Sequence, residues 1–172
     1  HMKKKIIYIV LTVIWMVVIF IMSSMNTNES NGKSKQTIKK TVQKTTEISE
    51  NIGLTDTKPT EKQVNETVNK LNFPLRKCAH ATEYAILAIL IIFTLNSFWG
   101  KNYSIKKIFI AIIVCFIYSL TDEYHQSFVL GRTSQFSDCS IDTLGSIIMC
   151  CGYTIVKKLS KLKNQKYKKD II

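Results

Sequence analysis

The sequence predicts an all-α integral membrane protein with four transmembrane helices and a long extracytoplasmic segment, and three observations predict it. The apolar residues gather in a few long runs, lysines flank those runs, and the stretch between the first two runs is strongly polar. A chain of 172 residues with 46% apolar residues would pass for globular on its average alone. The formal net charge of +12 does not signal nucleic acid, because the lysines border apolar runs instead of forming a basic patch interleaved with aromatics. His1 precedes Met2 and reads as an expression scar.

The first run, Ile6 to Met22 behind Lys3, Lys4 and Lys5, has 17 residues. At 1.5 Å per residue it reaches about 25 Å, the short end for a span. A cleavable signal peptide is the rival reading, but the apolar core is long and no A-x-A site follows it. The second run follows Pro74, opens with Arg76, Lys77 and Cys78, and ends at Trp99. The third, Ile108 to Leu120, has only 13 uninterrupted apolar residues, so it spans only by extending backward through Tyr103 or forward into Asp122–Gln126. The fourth is centred on Ile141 to Val156.

Lysine placement sets the orientation. Lys3–Lys5, then Lys101, Lys106 and Lys107, then Lys157, Lys158, Lys161, Lys163, Lys166, Lys168 and Lys169 all fall on one side of a four-span chain. Lysine in short loops marks the cytoplasmic side, which puts both termini inside. The chain then divides into an N-terminal transmembrane helix (1–25), an extracytoplasmic segment (26–73), a three-helix membrane core (74–156) and a basic cytoplasmic tail (157–172).

The segment 26–73 carries eight lysines and six acids, and a loop of that length is translocated despite its charge. Ile38, Val42 and Ile48/Ile52 recur at near-helical spacing before Gly53, a residue suited to a C-cap. Thr60-Glu61-Lys62-Gln63 fits a capping box, followed by a stripe of Val64, Val68 and Leu71. Two short amphipathic helices over the membrane surface and a mostly disordered loop both remain open. The five cysteines, Cys78, Cys115, Cys139, Cys150 and Cys151, form no CxxC and mostly sit in apolar runs, as small hydrophobes do. Cys78 and Cys139 both map near the outer face, which leaves a disulfide between them open.

Under this topology five of the six acids outside the long segment sort to one face, the tail residue Asp170 apart. Glu83, Asp122, Glu123, Asp138 and Asp142 all map to the outer ends of spans two, three and four, with His80, His125, Arg76, Lys77 and Arg132. Residues three or four apart share a helix face. That aligns Lys77, His80, Glu83 and Tyr84; then Asp122, His125 and Gln126, with Glu123 beside them; then Asp138, Asp142 and Gly145. Gly145 removes a side chain where another helix could approach. Three polar stripes converge on a pocket.

Ionisable groups at membrane depth are costly and are functional candidates by default. The competing reading is interhelical glue, with Arg76 or Lys77 paired to Asp122 and Arg132 to Asp138. Taken singly, Asp138 could be an N-cap and Lys77 could merely snorkel. As a set, His80, Glu83, Asp122, Glu123 and His125 are the catalytic candidates, since a carboxylate beside histidine orients it for proton transfer near neutral pH. Arg76, Lys77, Tyr84, Gln126, Arg132, Asp138 and Asp142 are the binding candidates, with Arg132 suited to a phosphate or carboxylate. Imidazoles would suit zinc or manganese and carboxylates magnesium or calcium; no HExxH-type spacing supports a metal, and metal and cofactor both stay open. The serines and cysteines form no base-oriented nucleophile arrangement.

At these residues the sequence resembles the VanZ-like family of small bacterial membrane proteins. The matching pieces are Lys77-x-x-His80-x-x-Glu83-Tyr84-x-x-Leu87, Asp122-Glu123-x-x-Gln126-x-Phe128, Gly131-Arg132 and Asp138-x-x-x-Asp142-Thr143-x-Gly145. They cover about residues 74 to 155, and the segment 26–73 takes no part. Val129-Leu130 stands where the family typically has proline before Gly-Arg, and Asp142 where asparagine is frequent. The resemblance implies reduced susceptibility to glycopeptides, teicoplanin and similar lipid-tailed drugs in particular, without naming a reaction. The expected partners are membrane lipid and either a lipid-linked cell-envelope precursor or a lipoglycopeptide. An enzyme of the hydrolase or transferase kind and a binder without turnover are both expected forms. A transporter fits worse, because the polar groups stop at one face.

Overall fold

A computed structural model of the protein describes residues 2–25, 27–52, 59–100, 104–130, 132 and 135–169. The described residues form five helices and no strand: α1 (Met2–Ser23), α2 (Thr27–Asn51), α3 (Glu61–Trp99), α4 (Ile105–Gln126) and α5 (Phe136–Lys169). The all-α class holds. Gly53, Lys101 and Gly131, which entered the sequence reading, lie outside the described residues.

Among the described residues, three stretches are long and apolar enough to cross a membrane: Met2–Ser23, Glu61–Trp99 and Phe136–Gln165. The sequence predicts four spans, and α4 is not among these three. Its apolar middle is bounded by Lys106 and Lys107 at one end and by Asp122, Glu123 and His125 at the other. As the short third run required, the helix does extend through Asp122–Gln126, so its polar end is helical.

α3 is the organising element. Thr60 caps it as the sequence predicts: its hydroxyl accepts from Gln63 N at 3.4 Å, while Gln63 Oε1 accepts from Thr60 N at 2.9 Å. The helix then runs unbroken through Pro74, the residue after which the sequence reading places the second apolar run. Packing holds the part before the proline. Ile38 of α2 meets Val64 and Val68 of α3, with Val42 alongside, in a small separate core. The segment 26–73 is therefore helical over most of its length. Leu71, Ile48 and Ile52, the other members of the apolar stripes, stay exposed.

α1 lies antiparallel to α3. Tyr8 stacks on Phe93 with ring centroids 5.9 Å apart, and the Thr12 and Thr94 hydroxyls meet at 3.0 Å. Ile19, Tyr84, Leu87, Ile92, Cys115 and Cys150 fill the main core between α1, α3, α4 and α5. The outward faces carry Ile6, Val13, Ile14, Phe109, Ile113 and Ile148, a surface suited to hydrocarbon.

The tightest joint is between α3 and α5, the pair in most extensive contact. A Cβ placed on Gly145 would sit 2.1 Å from the Ala81 carbonyl oxygen, so only glycine permits this approach. Gly145→Ala must push two helices apart, and overpacking of this kind typically costs about 1–3 kcal/mol. Gly152, on the same helix, has nothing within 4 Å of its would-be Cβ. Gly152→Ala should leave stability unchanged or raise it by up to about 1 kcal/mol through helix propensity. Thermal unfolding of both variants in detergent should give a lower midpoint for Gly145→Ala alone; equal midpoints would refute this joint.

Candidate functional site

The close approach at Gly145 brings the α3 stripe against the α5 stripe at one end of the bundle. Lys77 Nζ pairs directly with an oxygen of Asp138, bridging α3 to α5. One turn further in, His80 Nδ1 lies 3.4 Å from Glu83 Oε2. Asp142 is 2% exposed and accepts the Ser119 hydroxyl on Oδ2 at 2.7 Å, which ties α5 to α4. His80, Asp122 and Glu123 lie within electrostatic reach of Asp142.

On α4, Asp122 is also 2% exposed. Its Oδ2 accepts from Gln126 Nε2 at 3.0 Å, and Gln126 Oε1 in turn accepts from Arg132 Nη1 at 2.8 Å. The amide thus relays between guanidinium and carboxylate. Glu123 Oε2 accepts from the backbone N–H of Gln135 at 3.0 Å and fixes the approach to α5.

Arg132 turns the rest of its fork to α1. Its Nε donates to the Met25 carbonyl at 3.0 Å and its Nη2 to the Met22 carbonyl at 3.3 Å. These carbonyls lie at and just beyond the C-terminal end of α1, where orphan acceptors attract cations. Burial lowers the Arg132 pKa from its ordinary value and nearby Arg76 adds to that, while Asp122, Glu123 and Glu83 oppose it. α1 is held elsewhere by backbone acceptors in both directions: its own Trp15 Nε1 donates to the Glu83 carbonyl of α3 at 2.9 Å, and the Tyr118 hydroxyl of α4 donates to the Met16 carbonyl at 2.6 Å. The N-terminal run, for which a cleavable signal was the rival reading, is packed as a wall of the cluster.

The structure brings together Lys77, His80, Glu83, Tyr84, Asp122, Glu123, Gln126, Arg132, Asp138 and Asp142. Two candidates turn elsewhere. His125 stacks on Phe20 of α1 with ring centroids 4.2 Å apart, and Arg76 Nη1 donates to Asn31 Oδ1 of α2 at 2.9 Å. The ion-pair partners also differ from those expected of interhelical glue: Lys77 takes Asp138, not Asp122, and Arg132 takes Gln126 and backbone, not Asp138. Ser119 and Ser146 escaped the sequence reading, although they continue the α4 and α5 stripes by one turn. Ser146 Oγ donates toward the Tyr84 carbonyl at 3.2 Å. Trp15, Phe20 and Ser23 on α1 carried no signal, because the run is apolar throughout.

No three His, Cys, Asp or Glu among the described residues stand close enough to hold a metal. All five cysteines are free thiols, with Cys78 exposed and Cys139 buried. A cleft of about 480 Å³ between α2 and the start of α3, with Val42 and Val64 in its wall, belongs to the α2–α3 pair and not to the cluster.

A family model described as VanZ/LLP1 matches residues 8–157. The chain belongs to the VanZ/LLP1 family. The match runs through α1 and α2, so the family unit is wider than the motifs between residues 74 and 155 suggested. No curated protein and no solved structure matches the chain. Family and apolar helices together point to a membrane protein.

If Arg132 fastens α1, Arg132→Lys keeps the charge but loses the fork that reaches two carbonyls and Gln126 at once. Losing hydrogen bonds of this type costs about 1.5–3 kcal/mol, roughly tenfold or more in local opening. A cysteine placed at buried Ser23 should therefore react with a maleimide at least about tenfold faster in the Arg132→Lys background. Unchanged reactivity would show that α1 is held by other means.

Proposed function

We propose that this VanZ/LLP1 member is a cell-envelope protein whose polar cluster faces outside, engages an envelope component or a lipid-tailed molecule, and lowers susceptibility to teicoplanin-type glycopeptides. The observation that carries the reading is the layering of the cluster. Lys77, Asp138 and Arg132 form an outer tier, and His80, Glu83, Tyr84, Asp122 and Asp142 lie one to two turns further in. An anionic headgroup would draw Lys77 from Asp138 and Arg132 from Gln126 and the α1 carbonyls, with the inner carboxylates and His80 behind them.

In this reading four helices cross the membrane, with α4 as the fourth and both termini cytoplasmic. α4 has 22 residues, which reach about 33 Å at 1.5 Å per residue. Exposed aromatics mark both levels, Phe98 and Trp99 at one and Phe73, Tyr124, Phe128 and Phe136 at the other, as interfacial belts do. In a Cys78→Ser background, a cysteine at Leu130 should be labelled in intact cells by an impermeant maleimide; protection of that site until lysis would reverse the orientation.

A membrane hydrolase or transferase acting on a lipid-linked envelope substrate is the second reading. The His80–Glu83 contact favours it, since the carboxylate would orient the imidazole as a general base. Interhelical glue is the third, favoured by the Lys77–Asp138 pair and the Arg132 fastening.

Cells expressing the wild type should tolerate more teicoplanin than cells without it. His80→Ala and Glu123→Gln should lose that tolerance at unchanged membrane abundance. Tolerance retained in both would reduce the cluster to structure, and loss that tracks lower abundance would favour glue.

A further inference from the structure

We propose that Asp122, Asp142 and Tyr84 form, beneath α1, a buried acceptor site for a primary ammonium group. The proposal deepens the reading above by naming the chemistry of the ligand, and rests on it for the orientation of the site.

The argument begins with the unused oxygens. Asp122 accepts from Gln126 on Oδ2, and Asp142 from Ser119 on Oδ2; neither donor carries a charge. Asp122 Oδ1, Asp142 Oδ1 and the Tyr84 hydroxyl are buried and make no hydrogen bond. Tyr84 is 0% exposed and lies within electrostatic reach of both aspartates. Its neighbour Ser119 commits its own proton to Asp142. Three unsatisfied polar oxygens from α3, α4 and α5 thus lie within electrostatic reach of one another, with the equally unsatisfied Ser23 hydroxyl of α1 beside Asp122, and buried polar groups without partners are rare in native structures.

Charge narrows the choice of occupant. The nearby cationic side chains have other partners: Lys77 pairs with Asp138, Arg132 with Gln126 and the carbonyls of α1, and His80, within electrostatic reach of both aspartates, lies against Glu83. Carboxylates at membrane depth without a cation are strongly disfavoured. A metal ion finds no set of three ligands among the described His, Cys, Asp and Glu residues. An ammonium offers three N–H donors and one positive charge, which matches three acceptor oxygens. Covering the site, α1 contributes buried Ser23 beside Asp122, and its fastening by Arg132 makes it the wall that would move for entry.

The test is thermal unfolding of the full-length protein in detergent. Methylammonium and tetramethylammonium would be compared at equal ionic strength, and phosphatidylethanolamine with phosphatidylcholine in mixed micelles. A ligand that binds only the folded state raises the midpoint. The midpoint should rise by several degrees with methylammonium or with phosphatidylethanolamine, and not with their quaternary counterparts, which lack N–H donors. A rise with methylammonium assigns the site to free amines as well as lipids; a rise with phosphatidylethanolamine alone assigns it to the headgroup. Asp142→Asn and Asp122→Asn, which preserve shape, should abolish the difference. Equal responses to primary and quaternary amines in the wild type would overturn the proposal, whether or not the variants fold. So would a difference that survives both substitutions. Teicoplanin tolerance in cells is read separately, so loss of that reading leaves the amine comparison standing, and the reverse.

Discussion

The architecture depends on one steric permission, the absence of a side chain at Gly145. With 2.1 Å between its would-be Cβ and the Ala81 oxygen, α3 and α5 are in backbone contact one turn from His80 and Asp142. Any larger residue would separate the helices, and the polar groups around that point would separate with them. Lys77 could not reach Asp138, and Ser146 could not reach the Tyr84 carbonyl. Van der Waals packing, not hydrophobic burial, is the main attraction between helices in lipid, so a small-residue contact of this kind carries much of the association.

Once the helices meet, the cost of placing charge at membrane depth shapes everything around the joint. Each carboxylate with a described hydrogen bond receives a donor from a different source: a lysine for Asp138, a hydroxyl for Asp142, an amide for Asp122 and a backbone N–H for Glu123. The set is satisfied on one side and incomplete on the other, where Asp122 and Asp142 each retain a bare oxygen. A network built only as glue would gain by closing those positions, since an unsatisfied buried acceptor costs about 1–3 kcal/mol.

Much of this was legible in the sequence, for identifiable reasons. α1, α3 and α5 announce themselves as apolar runs of membrane length, and Thr60–Gln63 announces the start of α3 by its capping chemistry. The alignment of Asp138, Asp142 and Gly145 on one helical face follows from spacing alone. What spacing cannot supply is the partner across helices. Lys77 could choose Asp122 or Asp138, and only the register at Gly145 decides. Arg132 was read as free for an anion because its acceptors, the Met22 and Met25 carbonyls, are backbone groups more than a hundred residues away and carry no sequence signature. Pro74 was taken as a boundary on local grounds, whereas the α2 contact at Val64 and Val68 extends α3 through it.

The same reasoning explains why α1 falls inside the family match although its sequence has no motif. Donors from two other segments reach its main chain: the Tyr118 hydroxyl of α4 donates to the Met16 carbonyl, and Arg132, beyond α4, to those of Met22 and Met25. Contacts to backbone constrain where a helix sits and how long it is, but leave its side chains free to be any apolar residue. A helix recognised in that way can vary in sequence and keep its place. It also suits a movable wall. Its exposed face, from Ile6 to Ile21, meets only what surrounds the protein, and the fastenings at its C-terminal end converge on one arginine. Arg132 therefore joins the covering of the cluster to Asp122 within it, through a single amide, Gln126. Whatever binds to Asp122 acts on the same hydrogen-bonded chain that holds α1 shut.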